Sequence, residues 1–320
     1  MNHIFGTAFF ITNQKGVNVK SSNTDVYFKC ICVFFASLHR FYPTERKELF
    51  VNSSLPERFS NILEQFNVVI TIVPKSNQNF VSSSKLSNKF PGCLFSLDVF
   101  SFIQNNSNYK GFEKLILLDN DTVLLKKIEV ENQNILGIEI DYEFNKDING
   151  KSRAVLSYVN SVNGGQNLVK WFGGEFICLD LNQLQRFNEN IDFYFKYFEN
   201  NIELFGDNLT EEHIYSILLS NENNTNQDYL IKRVWTTNGY NNVVGNENRY
   251  AILHYPSEKN KLFINLFDKV EQNNLFLTNL KEIDYTAYML APINYFLNRN
   301  LMLYIKQFLA LIKKKCSINE

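Results

Sequence analysis

The stretch Lys114–Ile128 places the tightest limit on what this chain can become. It reads Lys-Leu-Ile-Leu-Leu-Asp-Asn-Asp-Thr-Val-Leu-Leu-Lys-Lys-Ile. Leu115 to Leu118 form an unbroken apolar run, the pattern of a strand buried on both faces. The run stops on two carboxylates, Asp119 and Asp121, with Asn120 between them, and a second apolar run, Val123 to Leu125, follows at once. In α/β proteins such strands present their ligand-binding groups at the carboxyl end, where the backbone leaves the sheet. Two carboxylates held side by side repel each other and lose solvation, so a cation is their natural partner. A divalent metal that prefers hard oxygen ligands meets that need.

The segments before this stretch alternate between strand and helix patterns. Ile4 to Thr12 reads as a buried strand, followed by the polar loop Asn13 to Asn23. Thr24 or Asn23 can cap a helix from Asp25 to about Phe41, which stops before Pro43. Glu48 to Val51 is a short strand, Leu55 to Phe66 a helix with Pro56 in its first turn, and Val68 to Val73 a β-branched strand closed by Pro74. The crossovers are long enough for parallel pairing, so an open, mostly parallel sheet is expected. Gly92 to Gln104 reads as a helix carrying Asp98, and it leads into the central strand.

Beyond the acid pair, Ile135 to Ile140 is a short strand, and Asn145 to Lys151 and Ser161 to Gln166 are loops. Gly173 and Gly174 open an apolar strand with Glu175 at its start, a mark of close backbone approach. Leu184 to Phe198 is an aromatic-rich helix. Asn208 or Thr210 can cap the next helix, whose first turn holds Glu211, Glu212 and His213. Ile231 to Thr236 and Ala251 to Tyr255 are strands, the second carrying His254. From Leu275 the pattern is helical, and it ends in Lys313, Lys314 and Lys315.

With 32 basic and 33 acidic residues, the chain lacks the basic excess of a dedicated nucleic-acid binder. Five scattered cysteines do not make a disulfide framework, and they fit a reducing cytoplasm. Cys30 and Cys32 stand without a second pair and read as helix core. The apolar start of the chain has no basic n-region, so it reads as a strand. No apolar run is long enough to span a bilayer.

The acid pair suits two chemistries. One is a divalent ion that binds a diphosphate leaving group. The other is phosphoaspartyl transfer: an apolar run followed by Asp-x-Asp also resembles the first motif of haloacid-dehalogenase-type phosphatases. There Asp119 would be the nucleophile and Asp121 the acid/base, with Gly206-Asp207 as a late acidic match. That motif usually opens its domain, whereas three strands precede Asp119 here.

The segment Leu118 to Ile128 also resembles the metal-binding motif of GT-A-fold glycosyltransferases, most closely families 8 and 32. The resemblance spans about residues 4 to 263 and rests on order and spacing. It implies a Rossmann-like open mixed α/β sheet with flanking helices. The nucleotide-sugar-binding catalytic domain would cover 1–270, and a C-terminal helical extension 271–320. It further implies Mn²⁺ or Mg²⁺ held by Asp119, Asp121 and His254. Thr12, Asn13, Asp98, Asn120, Gly173, Gly174 and Lys259 would bind the donor, Lys259 at its diphosphate. Glu175 and Glu212 are the expected catalytic carboxylates. If the enzyme retains anomeric configuration, as family 8 does, no dedicated general base is needed and Asp98 and Glu175 would orient donor-sugar hydroxyls; if it inverts, one of Glu175, Glu211 or Glu212 would deprotonate the acceptor hydroxyl. The expected donor is a nucleotide sugar, UDP-linked by preference, and the acceptor a saccharide or lipid-linked sugar in surface-polysaccharide synthesis. The C-terminal helix would touch the membrane from the cytoplasmic side. Three departures stand out: Ser257 at a usual glycine, Asn260 flanked by Lys259 and Lys261, and Glu175 where an Asn-type residue is common. A nucleotidyltransferase would need a Gly-rich loop after the first strand, which Phe10 to Gly16 lacks. A non-enzymatic binding module would tolerate Asp121→Asn.

Overall fold

The computed structural model describes residues 2–12, 24–83, 92–130, 135–140, 152–162, 164, 169–201, 209–222, 229–237 and 240–316. The first half follows the alternation in the sequence: β1 (His3–Phe9), α1 (Asp25–Phe41), β2 (Arg46–Val51), α2 (Glu57–Glu64), β3 (Val68–Ile72), α3 (Phe95–Gln104) and β4 (Lys114–Leu118). Next come β5 (Thr122–Leu124), β6 (Ile135–Glu139), α4 (Ser152–Val162), β7 (Phe172–Asp180), α5 (Leu184–Asn200) and α6 (Glu211–Asn221). The last part holds β8 (Ile231–Arg233), the two-residue pair β9 (Thr236–Thr237) and β10 (Tyr240–Asn241), and β11 (Ile252–His254). A π-helical turn, Lys259–Phe263, leads into α7 (Ile264–Gln272), α8 (Phe276–Asn279), α9 (Glu282–Met289) and α10 (Ala291–Cys316).

Six strands form the main sheet in the order β3-β2-β1-β4-β7-β6. The first four are mutually parallel, and β7 runs antiparallel to both neighbours, so the sheet is mixed. Both faces are covered, which explains why β4 is apolar throughout rather than alternating. Leu115 and Leu117 pack on one face among residues of α3, α5 and α6. Ile116 and Leu118 pack on the other with α1, α2 and α7. Leu277, Tyr285, Met289 and Ile293, from α8 to the start of α10, join that second core. The Tyr285 hydroxyl donates to the Leu124 carbonyl at 2.5 Å, tying α9 to β5.

Several boundaries differ from the sequence expectation. Thr24 sits at the N-terminus of α1, but its side chain makes no capping bond. Helix α4 was not foreseen; its pattern is diluted by Ser and Asn, and among its described side chains it buries Leu156 and Val159. The stretch expected as one strand to Thr236 is cut after Arg233, where the chain turns to pair β9 with β10.

β1 and β4 are parallel neighbours, with Gly6 opposite Leu117. Their carboxyl ends therefore open on the same edge of the sheet. A small second sheet, β5-β11-β8, stands at that edge. It is what joins the acid pair to residues more than a hundred positions later.

Candidate metal and donor site

The turn after β4 is fixed by backbone bonds. The Asp119 amide donates to the Glu175 carbonyl at 3.1 Å, and the Thr122 hydroxyl donates to the Asp119 carbonyl at 2.7 Å. β5 then pairs antiparallel with β11, His254 opposite Thr122, and the Tyr255 amide donates to the Asp121 carbonyl at 2.9 Å. This register brings the His254 imidazole to the carboxylates. Its Nε2 lies 3.2 Å from Asp121 Oδ1 and 3.5 Å from Asp119 Oδ2. One ligand atom from each of Asp119, Asp121 and His254 falls within 4.8 Å of the others.

Access is one-sided. Asp121 and His254 are buried, whereas the Asp119 side chain is 48% exposed. The donor set, two carboxylates and one imidazole with an open flank, fits a divalent ion such as Mn²⁺ or Mg²⁺ that keeps further positions for a ligand.

Charge in the cluster is balanced by two cations. The Lys259 ammonium, from the π-helical turn, donates to Asp121 Oδ2. π-turns of this kind recur at functional sites. Asn260 and Lys261 are exposed, so Lys259 is the lysine that the turn aims at the acids. Burial opposes ionisation of Asp121, but Lys259 and His254 outweigh it and hold the carboxyl well below its usual range. Loss of solvation on its inner flank raises the Asp119 carboxyl although its outer flank is open, helped by the charges of Asp121 and Glu175, while His254 pulls against the rise. Burial alone would lower His254, yet Asp121 and Glu175 lift it to about 9.

A second ionic group lies beside the first. Arg233, which sequence reasoning missed, stands next to His254 in the parallel β8–β11 register. Its Nη2 lies 2.5 Å from Glu175 Oε2 and 2.9 Å from Glu212 Oε1, and its Nε donates to Glu175 Oε1 at 3.2 Å. Glu212 also accepts from Trp171 Nε1 and from the Gly174 amide, each at 3.2 Å. The two carboxylates expected to be catalytic are thus bridged by one guanidinium. The sequence offered one faint signal, the basic pair Lys232-Arg233 flanked by Leu230-Ile231 and Val234-Trp235; the partners of Arg233 come only from non-local pairing.

The glycines before Glu175 permit a close approach. A Cβ on Gly173 would lie 2.0 Å from Glu175 Oε2 and 2.4 Å from Ile140, and one on Gly174 would lie 2.5 Å from Glu211 Oε1. Asp98 is fully buried, and its two oxygens accept from the Phe80 and Val81 amides at 2.9 and 3.0 Å. Those two bonds tie α3 to the turn at Phe80 and Val81. Burial pushes the Asp98 carboxyl up to about 7, against the pull of those amides. Thr12 follows β1 on the site's edge of the sheet, next to Ile11, which exchanges two hydrogen bonds with Asn52. Asn120 is half-buried between the acids. Asn13 and the pair Gly206-Asp207 lie outside the described residues.

An open mixed sheet with Asp-x-Asp at the carboxyl end of its central strand and a late histidine folded back onto it has the GT-A architecture, of the kind seen in family 8 glycosyltransferases. No family model and no curated protein matches the chain. Solved structures do match. An active-site mutant of LgtC is 12% identical, with 80% of this chain and 87% of that one covered and a TM-score of 0.51. The galactosyltransferase LgtC with donor and acceptor sugar analogues is 11% identical, covering 84% and 96%, again with a TM-score of 0.51. The bifunctional glycosyltransferase WbbM in its apo form is 10% identical, covers 85% of this chain and 49% of its own, and has a TM-score of 0.50. The chain spans about half the length of WbbM. At these identities the likeness establishes the fold.

Proposed function

We propose that this chain is a metal-dependent glycosyltransferase. It would move a sugar from a nucleotide-sugar donor, UDP-linked by preference, to a saccharide or lipid-linked acceptor in surface-polysaccharide synthesis. The observation that carries the reading is the Asp119–Asp121–His254 cluster at the carboxyl end of β4 within a GT-A sheet. LgtC, crystallised with donor and acceptor sugar analogues, supports the substrate class.

Asp119, Asp121 and His254 would hold Mn²⁺ or Mg²⁺. When bound, the cation offsets the charge that grows on the departing nucleoside diphosphate. Lys259, already in contact with Asp121, supplies a second positive group for the diphosphate. Thr12, Asn120 and the backbone at Gly173 and Gly174 would line the donor side at the edge where β1 and β4 end. Glu212, fixed by Trp171, Gly174 and Arg233, faces the sugar at the start of α6. At Glu175, burial is outweighed by Arg233, which holds the carboxyl down to about 2 and makes it a poor proton acceptor; this suits a retaining reaction without a dedicated general base.

The phosphatase alternative needs Asp121 as a proton donor. Lys259 and His254 keep that carboxyl ionised, which disfavours the role.

A screen of nucleotide sugars with and without Mn²⁺ tests the reading. Metal-dependent release of a nucleoside diphosphate from one donor is expected, and Asp119→Ala or Asp121→Ala should lower it at least a hundred-fold, on the order of 3 kcal/mol. Phosphate trapped on Asp119, with no nucleotide released from any donor, would sink the proposal.

A further inference from the structure

Glu175 touches the cluster in two ways. Its carbonyl accepts the Asp119 amide, and its carboxylate faces His254 from the side away from the acids, with Oε1 3.9 Å from Nδ1. An imidazole that offers the Nε2 lone pair to a cation must carry its proton on Nδ1. That nitrogen is buried and makes no bond of ordinary hydrogen-bond length. A buried N–H left without an acceptor is costly, and metal-binding imidazoles regularly hand this proton to a carboxylate. The 3.9 Å separation exceeds an ordinary hydrogen bond by about 1 Å.

Glu175 has no other opening. It is 1% exposed, and Arg233 grips both its oxygens from the strand beside His254. A residue so enclosed cannot reach a sugar hydroxyl without leaving its cation.

We propose that Glu175, anchored by Arg233, is a positioning residue that orients His254 for the metal and does not itself contact substrate. This rests on the reading that Asp119, Asp121 and His254 hold a divalent cation. It also gives a reason for a glycine two residues before this glutamate: without a side chain at Gly173, the carboxylate can fold in beside the imidazole.

The test is Mn²⁺ titrated into the full chain, alone and with UDP, followed by the EPR signal of the free ion. Wild type should bind in at least one arm and Asp119→Ala should not. Glu175→Gln, with an unchanged circular dichroism spectrum, should bind ten-fold or more weakly. No binding by wild type would overturn the metal reading and this inference with it. Binding by Glu175→Gln within two-fold of wild type would overturn this inference alone. If Glu175→Gln fails to fold, the wild type still decides. With ¹⁵N-labelled histidine and Cd²⁺, His254 should show Nε2 on the metal and a protonated Nδ1, in a spectrum of four histidines. Metal on Nδ1 would overturn the proposal.

Discussion

His213 sits inside the first turn of α6, where its Nδ1 accepts the Thr210 amide at 3.1 Å. The proton of the neutral ring is therefore on Nε2, and the Trp171 ring packs edge-on against it at 4.9 Å. Burial lowers its pKa to about 4 from an ordinary 6.5. The sign follows from proton counting: between those values the unfolded chain binds a proton that the folded one does not. His213 thus leaves stability intact above pH 6.5 and lowers it as pH falls towards 4, by on the order of 3 kcal/mol at the end of that window. Urea unfolding of wild type and His213→Asn across pH 5 to 7 would check it. Wild type should lose stability relative to the variant on acidification; parallel curves would rule the assignment out.

β7 is the element on which the site's shape depends. It enters as Phe172-Gly173-Gly174-Glu175, pairs with β4 up to Leu118, and delivers Glu175 next to Asp119. A side chain at Gly173 would collide with Glu175 Oε2 and Ile140. The carboxylate cannot swing away because Arg233 holds it. Gly173→Ala should therefore destabilise the fold by about 1–3 kcal/mol, the usual range for overpacking, and weaken metal binding along with it. A thermal melt and an Mn²⁺ titration on the same preparation would show whether the two losses travel together. The legibility of the elements follows from the same distinction between local and distant causes. The helix Asp25–Phe41 and the strand ending at Asp119 were readable because periodicity and a buried run are local signals. The Gly-Gly-Glu start of β7 was readable as a close approach, though not what approaches it. Arg233 left only a faint trace because its meaning comes from the β8–β11 pairing, and the amide partners of Asp98, 17 and 18 residues earlier, were not legible for the same reason. Helix α4 was missed because Ser157, Asn160 and Ser161 interrupt its apolar positions.

At the scale of the whole molecule, the C-terminal helix is the feature that the sheet does not use up. α10 begins in the core, where Ile293 and Phe296 are buried, and then presents Leu301, Met302, Ile305 and Leu309 to solvent, each 41–57% exposed. These positions fall on one face of a helix at spacings of one, four and eight. Among the described residues, no helix is long and apolar enough to cross a membrane. An apolar face followed by Lys313, Lys314 and Lys315 fits a helix lying in the plane of an anionic membrane surface. Each lysine near such a surface contributes about 1 kcal/mol. Replacing all three with Gln should therefore weaken binding to vesicles of phosphatidylcholine and phosphatidylglycerol by on the order of a hundred-fold at low salt. Raising the ionic strength to about 0.5 M should have a similar effect on wild type, since the screening length then shortens to a few ångströms. Ile305→Ser with Leu309→Ser should weaken binding to neutral and anionic vesicles alike, while nucleotide-sugar hydrolysis in solution stays unchanged. Co-sedimentation separates these contributions. Equal binding to neutral and anionic vesicles would remove the basic end from the account. A concentration-dependent dimer that ignores vesicles would assign the apolar face to a second copy of the chain.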